Sequence, residues 1–211
     1  MPLISRPPIS GSGSFTDACF GISPNLSCFN TDGWLQSEED GRSWIDFNLG
    51  VGALSRGAAA PDLINLSASS IETLGFDGVN TLEQVSTVIE MNHNWAEGSI
   101  VKAHVHWYPV NANAGNVKWQ LEYAVVGFGG SVPVSTTIDV TQAAGGVAWA
   151  ARFASFTDID LAGFTIGTQF HLRLFRDPND GDDTYGSDAA LATFGLHVLV
   201  DSFGSREVAT K

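Results

Sequence analysis

The sequence predicts an all-β protein, an antiparallel two-sheet β-sandwich of jelly-roll type with an extended, irregular N-terminal arm. Hydrophobic residues form 44% of the 211 residues, which is enough for a core, and only 16% are charged. Apolar and polar residues alternate in several short segments after residue 80. Turns rich in Gly, Asn and Asp join these segments, with no helical segment between them. Successive strands of this kind bury their apolar faces by packing as two sheets.

Residues 1–80 are predicted to form the arm, as an attachment region, and residues 81–211 the sandwich domain. Proline and glycine punctuate the first 80 residues, and we find no sustained period of 2 or 3.6 there. The arm nevertheless carries large apolar side chains such as Trp34 and Trp44, which cost free energy when they face water. We therefore expect the arm to pack on its own domain, on a neighbouring subunit or on a separate partner.

Alternation predicts the strands of the sandwich in chain order. One face is apolar in four segments: Val101 to Trp107, Val117 to Val125, Phe170 to Leu174, and Phe194 to Val200. Residues 83–91, 134–141 and 149–156 are weaker strand candidates. No internal repeat is found.

The charge balance excludes several partners. The formal net charge is −13 and the chain has only three lysines, so we expect no nucleic acid as a partner. No apolar stretch approaches the roughly 20 residues of a membrane helix, so no membrane partner is expected. The N-terminus lacks the apolar core of a signal peptide, and we expect synthesis in the cytoplasm. Cys19 and Cys28 could close one small loop, but this compartment favours free thiols.

A histidine pair is the first candidate for metal chemistry. Gly98, His104 and His106 match the opening G-x5-H-x-H of the cupin metal motif, and alternate residues of a strand share a face. The carboxylate that should follow is replaced by Val110 and Asn111, and His93 reaches the pair only by folding back. We therefore favour an ordinary strand face and assign no metal-ligating residue.

The acidic loop from Asp177 to Asp183 is the second candidate. Its spacing departs from the calcium loop of an EF-hand, because Gly181 and Asp182 occupy the fifth and sixth positions. A solvated turn is favoured. No nucleophile elbow, phosphate-binding loop or carboxylate pair stands out, so no catalytic residue and no cofactor are assigned, and the chain is not expected to be an enzyme.

Aromatic rings stack on sugars, which raises a binding-module hypothesis. Trp107 and Trp119 fall on apolar strand faces and are predicted to be core. Trp34, Trp44 and Trp95 lie in irregular segments and are better candidates for exposure or for a subunit interface, although a core position is favoured for them too.

Several spaced blocks resemble a family of tailed-bacteriophage virion proteins over about residues 82 to 207. The blocks, in order, are HNWAEG at 93–98, HVHW at 104–107, NVKWQLEY at 116–123, RLFRD at 173–177, DDTYG at 182–186 and HVLVDSFGSRE at 197–207. Residues 1–80 match nothing in that family.

The resemblance implies a non-enzymatic virion structural protein, assembled in the host cytoplasm. We expect a capsid cement or decoration subunit that docks on the major capsid protein or another virion protein, as a homo-oligomer, specifically a homotrimer as in jelly-roll decoration proteins. A neck, tail or fibre-adaptor component is the alternative within this class. A β-sandwich module that binds host glycans is the alternative from another functional class. Deletion of residues 1–70 is expected to abolish attachment before folding.

Overall fold

The computed structural model describes residues 18–22, 25–29, 35–38, 41–205, 207–208 and 210–211. These residues form fourteen strands: β1 (Ala18–Ile22), β2 (Asn25–Phe29), β3 (Leu35–Glu38), β4 (Ser43–Gly50), β5 (Ser55–Arg56), β6 (Asp62–Asn65), β7 (Glu72–Phe76), β8 (Glu83–Glu90), β9 (Val101–Pro109), β10 (Asn116–Val126), β11 (Thr136–Ala143), β12 (Arg152–Ser155), β13 (Gln169–Arg176) and β14 (Ala189–Val200). A short 3-10 helix, Val51–Ala53, follows β4. Within the described ranges, no helix is long and apolar enough to cross a membrane.

Two antiparallel sheets form the predicted jelly-roll sandwich. The five-stranded sheet has the order β11-β10-β13-β8-β5. The six-stranded sheet has the order β12-β9-β14-β7-β6, and β4 pairs with β14 beside this path. The all-β prediction is therefore confirmed.

Strand β14 organises the six-stranded sheet. One edge of it pairs with β9 along nearly its full length. The other edge is divided between two strands, since Ala189–Leu191 pairs with β7 and Thr193–Val200 pairs with β4. A register shift between Leu191 and Thr193 separates the two parts. Strands that are distant in sequence thus become neighbours in one sheet, and their outward side chains share one face.

The core lies between the two sheets and is built from the predicted apolar faces. Trp107 and Trp119 are fully buried, and their ring centroids lie 6.2 Å apart. The buried faces also include Val101, Ala103, Val105, Val117, Leu121, Phe170, Leu172, Leu174, Phe194, Leu196 and Val198. The alternation predicted for β9, β10, β13 and β14 is therefore confirmed, because the apolar face of each strand lies in the core and the other face points outward. The weaker candidates correspond to β8, β11 and β12.

Residues 43–76 differ from the predicted irregular arm, because they supply strands to both sandwich sheets. Strands β4 and β7 pair with β14, and β5 pairs with β8. Ile45, Phe47 and Leu49 of β4 pack against the core. The physical reason is that these short strands obtain their stability from sheet neighbours far along the chain.

A separate three-stranded sheet, β1-β2-β3, precedes the sandwich. Its register places Cys19 directly opposite Cys28, and the two form a disulfide, in contrast to the expected free thiols. The reason is that the antiparallel pairing of β1 and β2 brings the two sulfurs together. Gln36 bridges to Ser202, so this sheet contacts the end of the sandwich.

Candidate functional site

Three adjacent strands bring Asp46, His104 and His197 together on the outer face of the six-stranded sheet. Asp46 of β4 lies directly opposite His197 of β14. His104 of β9 lies one row further along, opposite Gly195. Within the described part of the chain, one ligand atom from each of these three residues lies within 4.8 Å of the others. We call this group the imidazole cluster.

The distances within the imidazole cluster are short. The Nε2 atoms of His104 and His197 each lie 3.7 Å from Oδ2 of Asp46. The two imidazole rings stack, with centroids 4.3 Å apart and planes inclined by 20°. The side chains of His197 and Asp46 are about one-third exposed, at 35% and 33%. The cluster therefore opens to solvent on one side.

His104 is the buried member of the cluster. It is fully buried, and neither of its ring nitrogens has a partner of good hydrogen-bond geometry among the described residues, although the Lys102 backbone acts on the ring. Burial lowers the pKa of His104, although the Asp46 carboxylate acts in the opposite direction. The neutral imidazole thus keeps a lone pair available for a ligand.

Gly195 creates the space for the His104 ring. A Cβ atom at this position would lie 2.8 Å from both Cε1 and Nε2 of His104 and 2.9 Å from Oδ1 of Asp46. No side chain fits there without displacing the ring or the sheet. Because Gly195 has no side chain, the His104 imidazole can approach the Asp46 carboxylate across β14.

The predicted pair of His104 and His106 does share a face, with ring centroids 5.2 Å apart. His106 instead packs against Phe153 and does not belong to the cluster of ligand atoms. His93 lies elsewhere, where its Nδ1 is hydrogen-bonded to Ser205. Sequence reasoning thus identified one of the three cluster residues and missed Asp46 and His197.

A groove of about 540 Å³ crosses the outer face of the other sheet. Ser55, Ser86, Arg173 and Glu122 follow one another across four paired strands and form its polar row. The other lining residues are Ala53, Thr87, Val88, Tyr123, Ala124, Ser135, His171 and Leu172. A groove of this volume is in the range of small-ligand sites.

Arg173 and Glu122 form the polar centre of the groove. Arg173 Nη1 donates to Glu122, and Arg173 Nε donates to Gln84 Oε1 at 2.5 Å. The Ser135 hydroxyl donates to Glu122 Oε1 at 2.5 Å. This hydrogen bond and that from Arg173 hold the pKa of Glu122 below its usual value. The two charges are paired, and both side chains remain about one-third exposed.

Of the tryptophans in the irregular segments, Trp95 occupies the favoured core position and Trp44 is exposed. Trp95 is completely buried, because the backbone around it pairs with the end of β14. Trp44 is 45% exposed on the outer face of the six-stranded sheet, with Lys102 Nζ 5.6 Å from its ring centroid. Trp34 lies outside the described residues.

The acidic loop is a salt-bridged turn. Lys118 Nζ lies 3.0 Å from Asp180 and 3.2 Å from Asp182. Asp183 points inward and accepts two hydrogen bonds from Arg176. Asp177 accepts hydrogen bonds from Asn179. The segment is therefore a turn, as favoured, but it is not solvated throughout, because Asp183 is buried against Arg176.

Comparisons with known proteins give a likeness of fold. No protein-family model matches the chain, and no curated protein matches it. Among solved structures, it is similar to CBM35 from Cellvibrio japonicus Abf62, at 11% identity and a TM-score of 0.46, covering 76% of this chain and 100% of that one.

Two further solved structures are more distant. TmCBM61 in complex with beta-1,4-galactotriose has 12% identity and a TM-score of 0.37, covering 72% of this chain and 86% of that one. The structure of infectious bursal disease virus Gx strain has 13% identity and a TM-score of 0.35, covering 86% of this chain and 36% of that one. At these identities and scores, the likenesses carry no argument about function.

Proposed function

We propose that this chain is a non-catalytic β-sandwich that binds a neutral glycan in the groove of the five-stranded sheet. The observation that carries this proposal is the polar row of Ser55, Ser86, Arg173 and Glu122 across the groove floor. Hydroxyl, guanidinium and carboxylate groups on a rigid sheet are suited to hydrogen-bond the closely spaced hydroxyls of a sugar.

The charges of the groove favour a neutral ligand over an anion. Arg173 is neutralised by Glu122, so the groove offers no unpaired cation from this pair. The net charge of −13 repels polyanions at long range. The imidazole of His171, on the same face of β13 as Arg173, adds ring surface to the lining on which a sugar face can pack.

Binding of the full chain to a panel of neutral oligosaccharides tests the proposal. Arg173→Gln is expected to weaken binding about ten-fold or more, because it removes a charged donor of the polar row. Trp44→Ala, on the opposite face, is the matched control and should leave binding unchanged. No binding to any neutral oligosaccharide contradicts the proposal, and loss in Trp44→Ala alone moves the site to the other sheet.

The second candidate is the virion structural protein that the resemblance implies. The blocks at 93–98 and 197–207 meet in the fold, because Trp95 forms a β-bridge with Val200 and Ala96 N–H donates to Leu199. The blocks at 173–177 and 182–186 also meet, since they carry the buried pair of Arg176 and Asp183. Glu122 and Arg173, which line the groove, also belong to blocks of the resemblance.

On this second proposal, the chain is a capsid cement or decoration subunit, or a neck, tail or fibre-adaptor component. Exposed apolar side chains offer contact surface for a virion partner or for a homotrimer: Phe128, Val132, Val134 and Phe203. Quantitative mass spectrometry of purified particles, relative to the major capsid protein, tests it. Hundreds of copies support the head position and a few to a few dozen the neck or tail, whereas absence from particles contradicts the proposal.

A further inference from the structure

We propose that Asp46, His104 and His197 bind a divalent transition-metal ion of the Zn²⁺ class. Two imidazoles and one carboxylate form a ligand set that such ions prefer. This site lies on the opposite sheet from the groove, and the inference does not depend on glycan binding.

The spacing of the ligand atoms is close to that of a metal site. With Zn–N and Zn–O bonds of about 2.0–2.2 Å, tetrahedral ligand atoms lie about 3.4 Å apart. The two Nε2 atoms each lie 3.7 Å from Oδ2 of Asp46, within a few tenths of an ångström of this value, and all three ligand atoms lie within 4.8 Å of one another. Because the imidazoles stack at 20°, coordination also requires them to tilt. His197 can do so, since its side chain is 35% exposed.

The buried nitrogens of His104 are the second observation that points to a ligand. A buried polar atom without a partner costs free energy, and such atoms call for an explanation. Nε2 of His104 faces the Asp46 carboxylate. The His104 ring packs against Phe153 and His106 and occupies the space that the missing side chain of Gly195 leaves. Coordination by Nε2 would satisfy that nitrogen.

Access and charge also favour a cation. Asp46 and His197 are partly exposed, so an ion can enter from solvent and keep water at its remaining coordination position. Lys102 on the same face is engaged by Asp158, with Nζ 3.0 Å from Oδ1. Oδ2 of Asp46 accepts one hydrogen bond, from Asn48 Nδ2 at 3.3 Å, and a carboxylate oxygen has a further lone pair for an ion.

Isothermal titration of the full, purified chain with ZnCl₂, and Co²⁺ absorption spectra, test this site. We expect one ion per chain and a ligand-field band from Co²⁺ bound to nitrogen and oxygen. His197→Gln and Asp46→Asn should each weaken binding by more than about ten-fold. Loss of a group that merely orients a metal ligand can already cost about ten-fold, and these two residues are proposed as ligands themselves. Both residues are partly exposed, so the variants should fold, and thermal melting verifies this.

His171→Gln is the matched control, because His171 lies on β13 of the other sheet and outside the cluster. Unchanged affinity in this variant supports the proposed ligands. The proposal is overturned if Zn²⁺ does not bind, if His197→Gln and Asp46→Asn bind it as the parent chain does, or if His171→Gln loses binding while His197→Gln retains it.

Discussion

Arg176 is completely buried and uses all five of its N–H donors. Nε and Nη2 each donate to Asp183 at 2.8 Å, and Nη1 donates to the carbonyls of Phe76 and Ser187. Nη2 also donates to the carbonyl of Tyr185. The guanidinium therefore joins β7, β13 and the acidic loop, and Asp183 supplies its counter-charge.

Asp183→Asn is expected to lower the free energy of unfolding by about 3–5 kcal/mol, because it leaves a buried guanidinium without a counter-charge. Asp182→Asn is the control: this neighbour is 71% exposed and pairs with Lys118, so its loss should cost at most about 1 kcal/mol. Urea denaturation of both variants measures the difference. Equal losses would contradict the assigned role of Asp183.

Glu83 is a buried carboxyl whose pKa is raised to about 7, first by desolvation and then by the carboxylates of Asp77, Asp62 and Asp188. Its Oε2 accepts the backbone N–H of Asp77 at 2.6 Å, which opposes the shift. Between the unfolded value of 4.5 and about 7, the native state binds more protons than the unfolded chain. The contribution of Glu83 to stability is therefore largest at low pH and falls as pH rises through this window.

Glu83→Gln keeps an acceptor for Asp77 and removes the titration. At pH 8, it is expected to raise the free energy of unfolding by up to about 3 kcal/mol, and at pH 4.5 it should have little effect. Glu83→Ala, which also removes the acceptor, should be less stable than Glu83→Gln at both values. Denaturant unfolding from pH 4.5 to 8 tests this, and parallel curves for the parent chain and Glu83→Gln would refute it.

At the scale of strands, Gly195 of β14 determines whether β9 and β4 can share the imidazole cluster. Gly195→Ala is expected to cost about 1–3 kcal/mol of stability, because the added Cβ overlaps a His104 ring that is packed on every side. Gly50→Ala is the control, since Gly50 is extended, with φ of −68°, and has open space around its Cβ position. It should change stability by no more than about 0.5 kcal/mol. Thermal melting of the two variants decides, and similar losses would contradict this role of Gly195.

Strand periodicity explains how much of the fold could be predicted. β9, β10, β13 and β14 are long enough to show which face is apolar. In β4, the alternation of Ile45, Phe47 and Leu49 with Asp46 and Asn48 is equally regular, and it could have revealed this strand within the glycine-rich segment. The imidazole cluster could not be predicted from strand periodicity. Its three residues are at positions 46, 104 and 197, and only the pairing of β4, β14 and β9 brings them together.

At the scale of the whole molecule, strand pairing defines where the sandwich begins. Among the described residues, the three-stranded sheet contacts the sandwich through polar interactions such as Gln36 Nε2 to Asp201 at 3.3 Å. Strand β4, in contrast, pairs with β14 over residues 43–50 and packs apolar side chains on the core. Folding should therefore require the chain from about residue 42 onward.

Deletion of residues 1–41 is expected to leave a sandwich that unfolds cooperatively near the melting temperature of the full chain, because every strand of the two large sheets remains. Deletion of residues 1–70 removes β4, β5 and β6 and leaves Thr193–Val200 of β14 without a partner on one edge, so this variant should aggregate or fail to fold. Circular dichroism melting and gel filtration compare the two. The shorter deletion is thus the one that can test the expected attachment without disturbing the fold, and a soluble, cooperative product from the longer deletion would show that β4 is dispensable.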